Sequence, residues 1–300
     1  MIAELLKQTP RILAECAVAE RLRRLPDVEL HPTLFNTPLI YGPENARDAM
    51  TAIYREYLEV ARNANLPLIL TAPTWRLDAS RVAQAQVPRT INRDAVTYIE
   101  NIRSSAPPTQ TPVIIGALVG PQNDCYQPSQ SPDAAAAERF HTPQIQELAS
   151  TRIDLLLAQT LPSTTEALGM ARALSESGKD YLLSFCIGAD GNVLDGTPLP
   201  VAMASIDQSL KSPPVGYFVN CTHPRFLLDA YQPGELDRLI GIQANGSSKD
   251  VTQLDHSSQT QADPVSDWAQ AMLDLHRLHQ VQILGGCCGT TSEHLISLAQ

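Results

Sequence analysis

The residues of this sequence best suited to chemistry are three cysteines that lie in two short segments. Cys287 and Cys288 are adjacent inside Gly285-Gly286-Cys287-Cys288-Gly289, and Cys221 follows Asn220 at the end of a second apolar run. Each segment comes directly after residues typical of a buried strand, Val281–Leu284 and Val215–Val219. Three thiolates from two strand ends suit a Zn²⁺ ion and leave the fourth tetrahedral position open, as a catalytic zinc requires.

Two other interpretations of these cysteines compete with a metal site. A free cysteine is often a small buried hydrophobic residue, and adjacent cysteines can form a disulfide, although that bond is strained and easily reduced. Neighbouring side chains on an extended strand point to opposite faces, so both thiols face one point only where the backbone turns. Glycine permits such turns, and the glycines around Cys287 and Cys288 therefore favour zinc.

Composition excludes several classes of protein. The 300 residues are 43 % hydrophobic and carry a net charge of −10, and no basic run stands out, which argues against nucleic acid or an anionic membrane surface as a partner. The first residues lack the pattern of a signal peptide, and no 18 consecutive apolar residues occur. Six cysteines are too few for a disulfide scaffold of this length. We therefore expect a cytoplasmic protein with small-molecule partners, and its oligomeric state stays open.

Eight apolar runs alternate with helical patterns along the chain. This order predicts parallel βαβ units, which close most naturally into a (β/α)₈ TIM barrel, here a single domain over residues 1–300. An open doubly wound sheet is the second choice, because no Gly-x-Gly-x-x-Gly follows the first strand. The predicted strands are Arg11–Ala14, Leu66–Thr71, Pro112–Leu118, Ile153–Leu157, Tyr181–Phe185, Val215–Val219, Leu239–Ile242 and Val281–Leu284. The first predicted helix begins at Pro43 and the last at Thr291. Between them, helices are predicted over Thr90–Ser104, Pro132–Ser150, Thr164–Ser177, Pro200–Leu210 and Val265–His279. Gly178 is the predicted C-cap of the helix Thr164–Ser177.

The carboxyl ends of the barrel strands are where TIM-barrel enzymes carry their active sites. The three cysteines fall at the ends of the sixth and eighth strands. Trp75 offers a cation–π face to a positively charged ligand or packs at the barrel end. Asn220 either binds substrate or orients the Cys221 loop. The residues expected to bind substrate are Glu15, Cys16, Thr74, Trp75, Gln159 and Asn220.

These segments resemble the homocysteine S-methyltransferase family of zinc-dependent (β/α)₈ barrels. The resemblance is carried by Asn220-Cys221, by Gly285–Gly289 and the following residues to Leu295, and by shorter segments at Phe140–Ile145, Thr160–Pro162, Glu166-Ala167 and Asp195–Thr197. It implies a zinc ion on Cys221, Cys287 and Cys288. It also implies methyl transfer from a sulfonium or quaternary ammonium donor to a zinc-bound thiol, homocysteine or a related thiol, and a place in methionine biosynthesis.

The alternative is a barrel of the same family that binds zinc or thiols, has lost methyl transfer and serves as a binding or regulatory module. Hydrolase or lyase chemistry at the same zinc is a weaker third possibility.

The sequence departs from the family where the amino acid would bind. The family's Asp-Gly-Gly-x-x-Thr after strand one is Ala14–Ala19 here, and Cys16 replaces a glycine. Gln159 stands where the family has an acidic residue, and Ala72–Trp75 replaces Thr-Asn-Thr-aromatic. The loss of carboxylates for the substrate ammonium predicts that homocysteine is a poor acceptor.

Overall fold

The chain closes into a barrel of eight parallel strands in sequence order, which confirms the predicted (β/α)₈ fold. The computed structural model describes residues 2–249 and 262–300. Each strand pairs with its sequence neighbours, and β1 pairs with β8 to complete the ring. The strands are β1 Ile12–Ala14, β2 Leu68–Ala72, β3 Val113–Val119, β4 Leu155–Leu161, β5 Asp180–Phe185, β6 Gly216–Asn220, β7 Leu239–Ala244 and β8 Ile283–Gly286.

Helices surround the barrel and follow most of the predicted positions. The helices of the described residues are α1 Ile2–Gln8, α2 Ala19–Arg23, α3 Glu44–Ala64, α4 Ala79–Gln84, α5 Ile91–Ser105, α6 Ala134–Ala149, α7 Thr164–Ser175, α8 Leu199–Ser209, α9 Pro224–Ala230, α10 Val265–His279 and α11 Ser292–Ala299, with 3₁₀ turns at Thr37–Ile40 and Pro128–Gln130. The sequence did not predict α1, α2, α4 and α9. These helices have five to seven residues each, too few for a 3.6-residue periodicity to stand out.

Local sequence explains where the main helices start and stop. Pro43 precedes the first residue of α3, and Asn65 ends that helix with φ 55°, a left-handed conformation that asparagine tolerates. Thr291 caps α11 in a reciprocal arrangement with His294. Gly178 is not the C-cap of α7, contrary to the prediction: Glu176 is, and Gly178 lies two residues later with φ 70°.

Two main apolar clusters hold the barrel together, and a third, small one packs Leu34, Leu77, Val82 and Ile91. The smaller of the two main clusters fills the barrel interior with inward-facing strand residues such as Ile69, Leu157 and Phe218, and Ile2 of α1 belongs to it. The larger cluster lies between the strands and the helices. Strand β2 is buried along its whole length, as expected for a parallel strand covered on both faces.

Several strands run further toward their carboxyl ends than predicted. Strand β4 reaches Leu161, β6 reaches Asn220, β7 reaches Ala244 and β8 reaches Gly286. The prediction stopped near the end of each apolar run, whereas the strands continue through glycines and polar residues such as Thr160, Asn220 and Gln243. The long polar loop predicted for Asn245–Pro264 falls largely on residues 250–261, outside the described residues. No helix of the described residues is long and apolar enough to cross a membrane.

Candidate active site

A cavity of about 850 Å³ lies at the carboxyl ends of the strands. It is lined by residues in the last part of β2, β3, β4, β6, β7 and β8 and in the loops after β1, β2, β3, β6, β7 and β8. Five of the six residues expected to bind substrate line it, as do all three proposed metal ligands: Glu15, Cys16, Trp75, Gln159, Asn220, Cys221, Cys287 and Cys288.

The three cysteines line this one cavity although Cys221 and Cys287 are 66 positions apart in the chain. The sulfur atoms of Cys221 and Cys287 lie 3.1 Å apart. Cys221 is buried, Cys287 is half-buried and Cys288 is exposed, so the cluster is anchored on one side and open to the cavity on the other.

Hydrogen bonds from its neighbours hold the pKa of the Cys221 thiol well below its usual value. The largest contribution comes from the Cys186 thiol, and Cys287, Cys288 and Tyr126 add to it, while burial opposes it. The pKa of the Cys287 thiol is raised, first because it donates to Cys221. The cluster therefore concentrates negative charge on the Cys221 sulfur, which is the state that binds a metal cation.

Close packing explains two of the glycines in the Gly285–Gly289 segment. A Cβ at Gly285 would lie 2.7 Å from the carbonyl oxygen of Ala14, and one at Gly286 would lie 2.2 Å from Oγ1 of Thr290. Only Gly289 has a left-handed backbone, with φ 80°. The sequence interpretation, in which the glycines free the backbone to turn, therefore applies to Gly289, whereas Gly285 and Gly286 let the end of β8 approach its neighbours.

Asn220 positions Cys221 through a fully used side-chain amide. Its Oδ1 accepts hydrogen bonds from the Thr160 backbone N–H at 2.9 Å and from the Ser184 hydroxyl at 2.6 Å. Its Nδ2 donates to Thr160 Oγ1 at 2.9 Å and to the Cys221 sulfur at 3.2 Å. Of the two roles considered for Asn220, the geometry favours orienting the Cys221 loop.

Two of the three residues bonded to the Asn220 side chain have left-handed backbones. Cys221 has φ 54° and Thr160 has φ 70°, and Thr160 lies in a register shift of β4 between Ala158 and Leu161. Backbone strain of this kind, about 1–3 kcal/mol for each residue, persists only where the surroundings enforce it and concentrates at functional sites.

The donor set fits zinc, although the thiols are not spaced for it. With Zn–S bonds of about 2.3 Å, tetrahedral geometry separates two sulfurs by about 3.8 Å, whereas Cys221 and Cys287 are 3.1 Å apart. In the described part of the chain, no group of three or more metal-binding side chains is already arranged around one point. Cys287 is half-buried and Cys288 exposed, and both line the cavity together with Cys221.

Glu15 is a buried carboxyl group with an unusual pKa. Burial raises its pKa to about 7, and hydrogen bonds from the Thr71 hydroxyl and backbone N–H oppose this. The Thr71 N–H donates to Oε2 at 2.8 Å, and the Thr71 hydroxyl donates to Oε1. Glu15 therefore changes charge near neutral pH while it faces the cavity.

Gln159 is part of an amide chain across the cavity floor. Its Nε2 donates to Oε1 of Gln243 at 2.7 Å, and Gln243 Nε2 donates to the Glu15 carbonyl at 3.1 Å. The backbone carbonyl of Gln159 accepts a 3.0 Å hydrogen bond from the Trp75 indole N–H. Gln159 thus lies where the sequence predicted, with its amide already hydrogen-bonded to a neighbour.

Thr74 does not line the cavity, which corrects the prediction. It is fully buried, and its hydroxyl donates to the Leu118 carbonyl at 2.7 Å and accepts from the Leu118 N–H at 2.9 Å. The Thr74 hydroxyl thus bonds to backbone groups of β3 just beyond the end of β2, where no strand residue of β2 is left to do so. Cys16 does border the cavity, but its thiol packs near Gly286, and burial raises its pKa to about 12.

The sequence did not identify Cys186 and Tyr126, which both contact the cysteine cluster. Cys186 follows β5 and is 2 % exposed, and Tyr126 reaches the cluster from the loop after β3. Their positions after barrel strands were the available signal, but neither stood in a recognisable motif.

His141 of α6 and Glu166 of α7 form a buried pair beside the site. Each side chain is 1 % exposed, and Nε2 of His141 lies at hydrogen-bond distance, 3.1 Å, from Oε1 of Glu166. Glu166 also accepts a 2.7 Å hydrogen bond from the Gln122 backbone. This pair anchors the start of the loop that carries Tyr126. His223 is likewise buried, and it caps α9 beside Asp263 at 3.5 Å.

Comparisons with known proteins relate the chain to a family of methyltransferases. A model of the homocysteine S-methyltransferase family matches residues 12–300. Homocysteine S-methyltransferase YbgG of Bacillus subtilis is 23 % identical over 99 % of this chain and 96 % of its own length. A selenocysteine Se-methyltransferase of Brassica oleracea is 26 % identical over 51 % of this chain and 44 % of its own.

A solved structure has the same fold. The metallated form of the homocysteine methyltransferase MmuM from Escherichia coli aligns with a TM-score of 0.73 at 20 % identity, over 99 % of this chain and 98 % of its own. At that identity the likeness concerns the fold. The family match, in contrast, covers nearly the whole chain, and this protein therefore belongs to the homocysteine S-methyltransferase family and is a methyltransferase.

Proposed function

We propose that this protein is a zinc-dependent S-methyltransferase that moves a methyl group from a sulfonium or quaternary ammonium donor to a thiol related to homocysteine. The observation that carries the proposal is the convergence of Cys221, Cys287 and Cys288 in one cavity, with 3.1 Å between the first two sulfurs. Family membership supports the same chemistry.

In this proposal the three cysteines hold the zinc and leave one position for the acceptor. Zinc, when bound, lowers the pKa of a coordinated thiol so that the sulfur is a thiolate at neutral pH. Three cysteine thiolates leave the site with a formal charge of −1, which keeps a further sulfur electron-rich. Asn220 holds the Cys221 sulfur in place, and the buried side of the cluster excludes water from that ligand.

The group transfer balances without any redox partner. The acceptor thiol loses its proton on binding, and its sulfur forms a new bond to the methyl carbon. The bond from that carbon to the donor's sulfur or nitrogen breaks, and its electron pair stays on the donor, which leaves neutral at that atom. With homocysteine as acceptor the product is methionine, which would place the enzyme in methionine biosynthesis.

Metal analysis of variants tests the metal part of the proposal. We expect about one zinc per chain in the wild type and much less in Cys221→Ser, Cys287→Ser and Cys288→Ser. Cys125→Ser is the matched control, because Cys125 is a buried cavity thiol outside the proposed ligand set. Purification under reducing conditions prevents oxidation of the paired thiols. Equal zinc in all five proteins would contradict the proposal.

A methyl-transfer assay tests the catalytic part. The zinc-loaded wild type should methylate a thiol with a sulfonium or quaternary ammonium donor, and Cys287→Ser should lose that activity. Zinc binding without any transfer across a panel of donors and thiols would favour the binding-module alternative.

A further inference from the structure

The wall of the cavity carries more basic than acidic side chains, four arginines against Glu15, Glu20 and Asp124, although the chain as a whole is acidic. The chain has a net charge of −10, yet four arginines line this one cavity: Arg23, Arg24, Arg76 and Arg81. Such a cluster needs either internal acidic partners or an anionic ligand.

Two of these arginines are neutralised within the protein. Arg24 pairs with Glu20, and Arg81 pairs with Asp78 and donates to the Gln122 carbonyl at 2.6 Å. Arg23 lies on the exposed edge of the cavity, 6.0 Å from the centre of the Phe35 ring.

Arg76 is half-buried and has no acidic partner within 4 Å among the described residues. Within residues 2–249 and 262–300, its one hydrogen bond runs from Nη1 to the Asn123 carbonyl at 3.3 Å, and its buried Nε–H has no acceptor there. The nearby acids are engaged elsewhere: Asp78 holds Arg81, and Asp124 accepts a hydrogen bond from the Tyr126 backbone at 2.9 Å. A half-buried cation with so few partners is a costly arrangement unless a ligand completes it.

Two aromatic rings hold the Arg76 guanidinium. Its central carbon lies 4.5 Å from the centre of the Trp75 ring and 5.8 Å from that of Phe35. Stacking on an aromatic face fixes the guanidinium plane, and the N–H groups at its edge match the two oxygens of a carboxylate. Burial lowers the pKa of Arg76, with Arg81 contributing, but a guanidinium stays charged in proteins.

The same contact changes the role expected of Trp75. A face of the indole already carries the cation of Arg76, so a purely cationic methyl donor placed there would meet a like charge. A donor or acceptor that also carries a carboxylate turns this repulsion into attraction.

We propose that Arg76, held by Trp75 and Phe35, is the receptor for a carboxylate on one of the substrates. This inference rests on the proposed function for the identity of the cavity as a substrate site. The carboxylate can belong to the thiol acceptor or to the methyl donor, and matched probes distinguish the two. Binding of this carboxylate by Arg76 does not depend on an acidic residue that would bind the ammonium group of an amino acid.

The experiment compares ligand pairs that differ in the carboxylate. For the acceptor the pair is 4-mercaptobutanoate and butane-1-thiol, and for the donor it is dimethylsulfonioacetate and trimethylsulfonium. Dissociation constants are measured by calorimetry at constant ionic strength and by fluorescence, since Trp268 is fully buried and Trp75 is the only other tryptophan. The proteins are the zinc-loaded wild type, Arg76→Gln, Arg76→Lys and the control Arg62→Gln, which removes an exposed charge from α3.

We expect Arg76→Gln to weaken binding of one carboxylate ligand by about 10- to 100-fold, the usual effect of a charge-assisted hydrogen bond. Binding of its carboxylate-free partner should not weaken, Arg76→Lys should lie between, and Arg62→Gln should match the wild type. Loss with the mercapto acid identifies the acceptor as the source, and loss with the sulfonioacetate identifies the donor.

Equal affinities of wild type and Arg76→Gln for both carboxylate ligands would overturn the inference. Thermal unfolding of both Arg76 variants checks that they fold, and Arg76→Lys keeps the comparison informative if Arg76→Gln does not. The two proposals fail separately. Carboxylate binding that depends on Arg76 without methyl transfer contradicts only the proposed function, whereas transfer with unchanged carboxylate preference contradicts only this inference.

Discussion

At the scale of single residues, Glu15 couples the charge of the cavity to pH. Burial raises its folded-state pKa to about 7 from an ordinary value of 4.5. The folded protein therefore binds this proton more tightly than the unfolded chain does. Stability from this group is fully present below about pH 4.5 and is lost as the pH rises to about 7.

The substitution Glu15→Gln removes this dependence. Because one pKa unit corresponds to about 1.4 kcal/mol, the ceiling on the effect is about 3 kcal/mol. We expect the unfolding free energy of the variant, relative to wild type, to increase between pH 4.5 and pH 7 and then to level off. Denaturant unfolding of both proteins at several pH values measures the difference. A difference that stays constant with pH would show that Glu15 has an ordinary pKa.

Gln159 is the residue at which the choice of thiol acceptor can be tested. Its neutral amide, bound to Gln243, offers no charge to a substrate ammonium group. We expect homocysteine to be no better an acceptor than 4-mercaptobutanoate, which lacks only the ammonium. Gln159→Glu should raise kcat/KM for homocysteine by roughly 10-fold or more, because a charge-assisted hydrogen bond contributes about 1.5–3 kcal/mol. A strong preference for homocysteine in wild type that the glutamate leaves unchanged would contradict this.

At the scale of elements, the Asn220 side chain joins the ends of β4, β5 and β6. Asn220→Ala leaves the Thr160 N–H and the Ser184 hydroxyl without their acceptor. Each buried unpaired group costs about 1–3 kcal/mol, so we expect a loss of roughly 2–4 kcal/mol in unfolding free energy and weaker zinc binding. Asn101→Ala, on the exposed face of α5, should change stability by less than about 0.5 kcal/mol. Urea unfolding with a zinc-competition assay checks both, and equal behaviour of the two variants would remove the role assigned to Asn220.

At the scale of the whole molecule, zinc on Cys221, Cys287 and Cys288 would link the end of β6 to that of β8. A ligand that binds only the folded state stabilises it by mass action, by about 2.7 kcal/mol at 100 times Kd. We expect a chelator to lower Tm by roughly 5 °C and added zinc to restore it, with no response in Cys287→Ser. A Tm that is independent of metal in the wild type would contradict the proposed site. The single domain over residues 1–300 and the preference for zinc over other metals stay predictions.

The amino-acid sequence by itself determined the alternation of eight strands with helices, the (β/α)₈ barrel and the meeting of three cysteines at one end of it. These follow from local periodicity and from the rule that parallel strands carry their sites at their carboxyl ends. Only the tertiary structure decided that Thr74 bonds to Leu118 instead of lining the cavity, that Cys186 and Tyr126 support Cys221, and that the Arg76 guanidinium lies against the Trp75 ring. Burial, pKa and hydrogen-bond partners depend on atoms brought together from distant parts of the chain. Cys186 and Cys221 are 35 positions apart and Glu15 and Thr71 are 56, and no local pattern records such contacts.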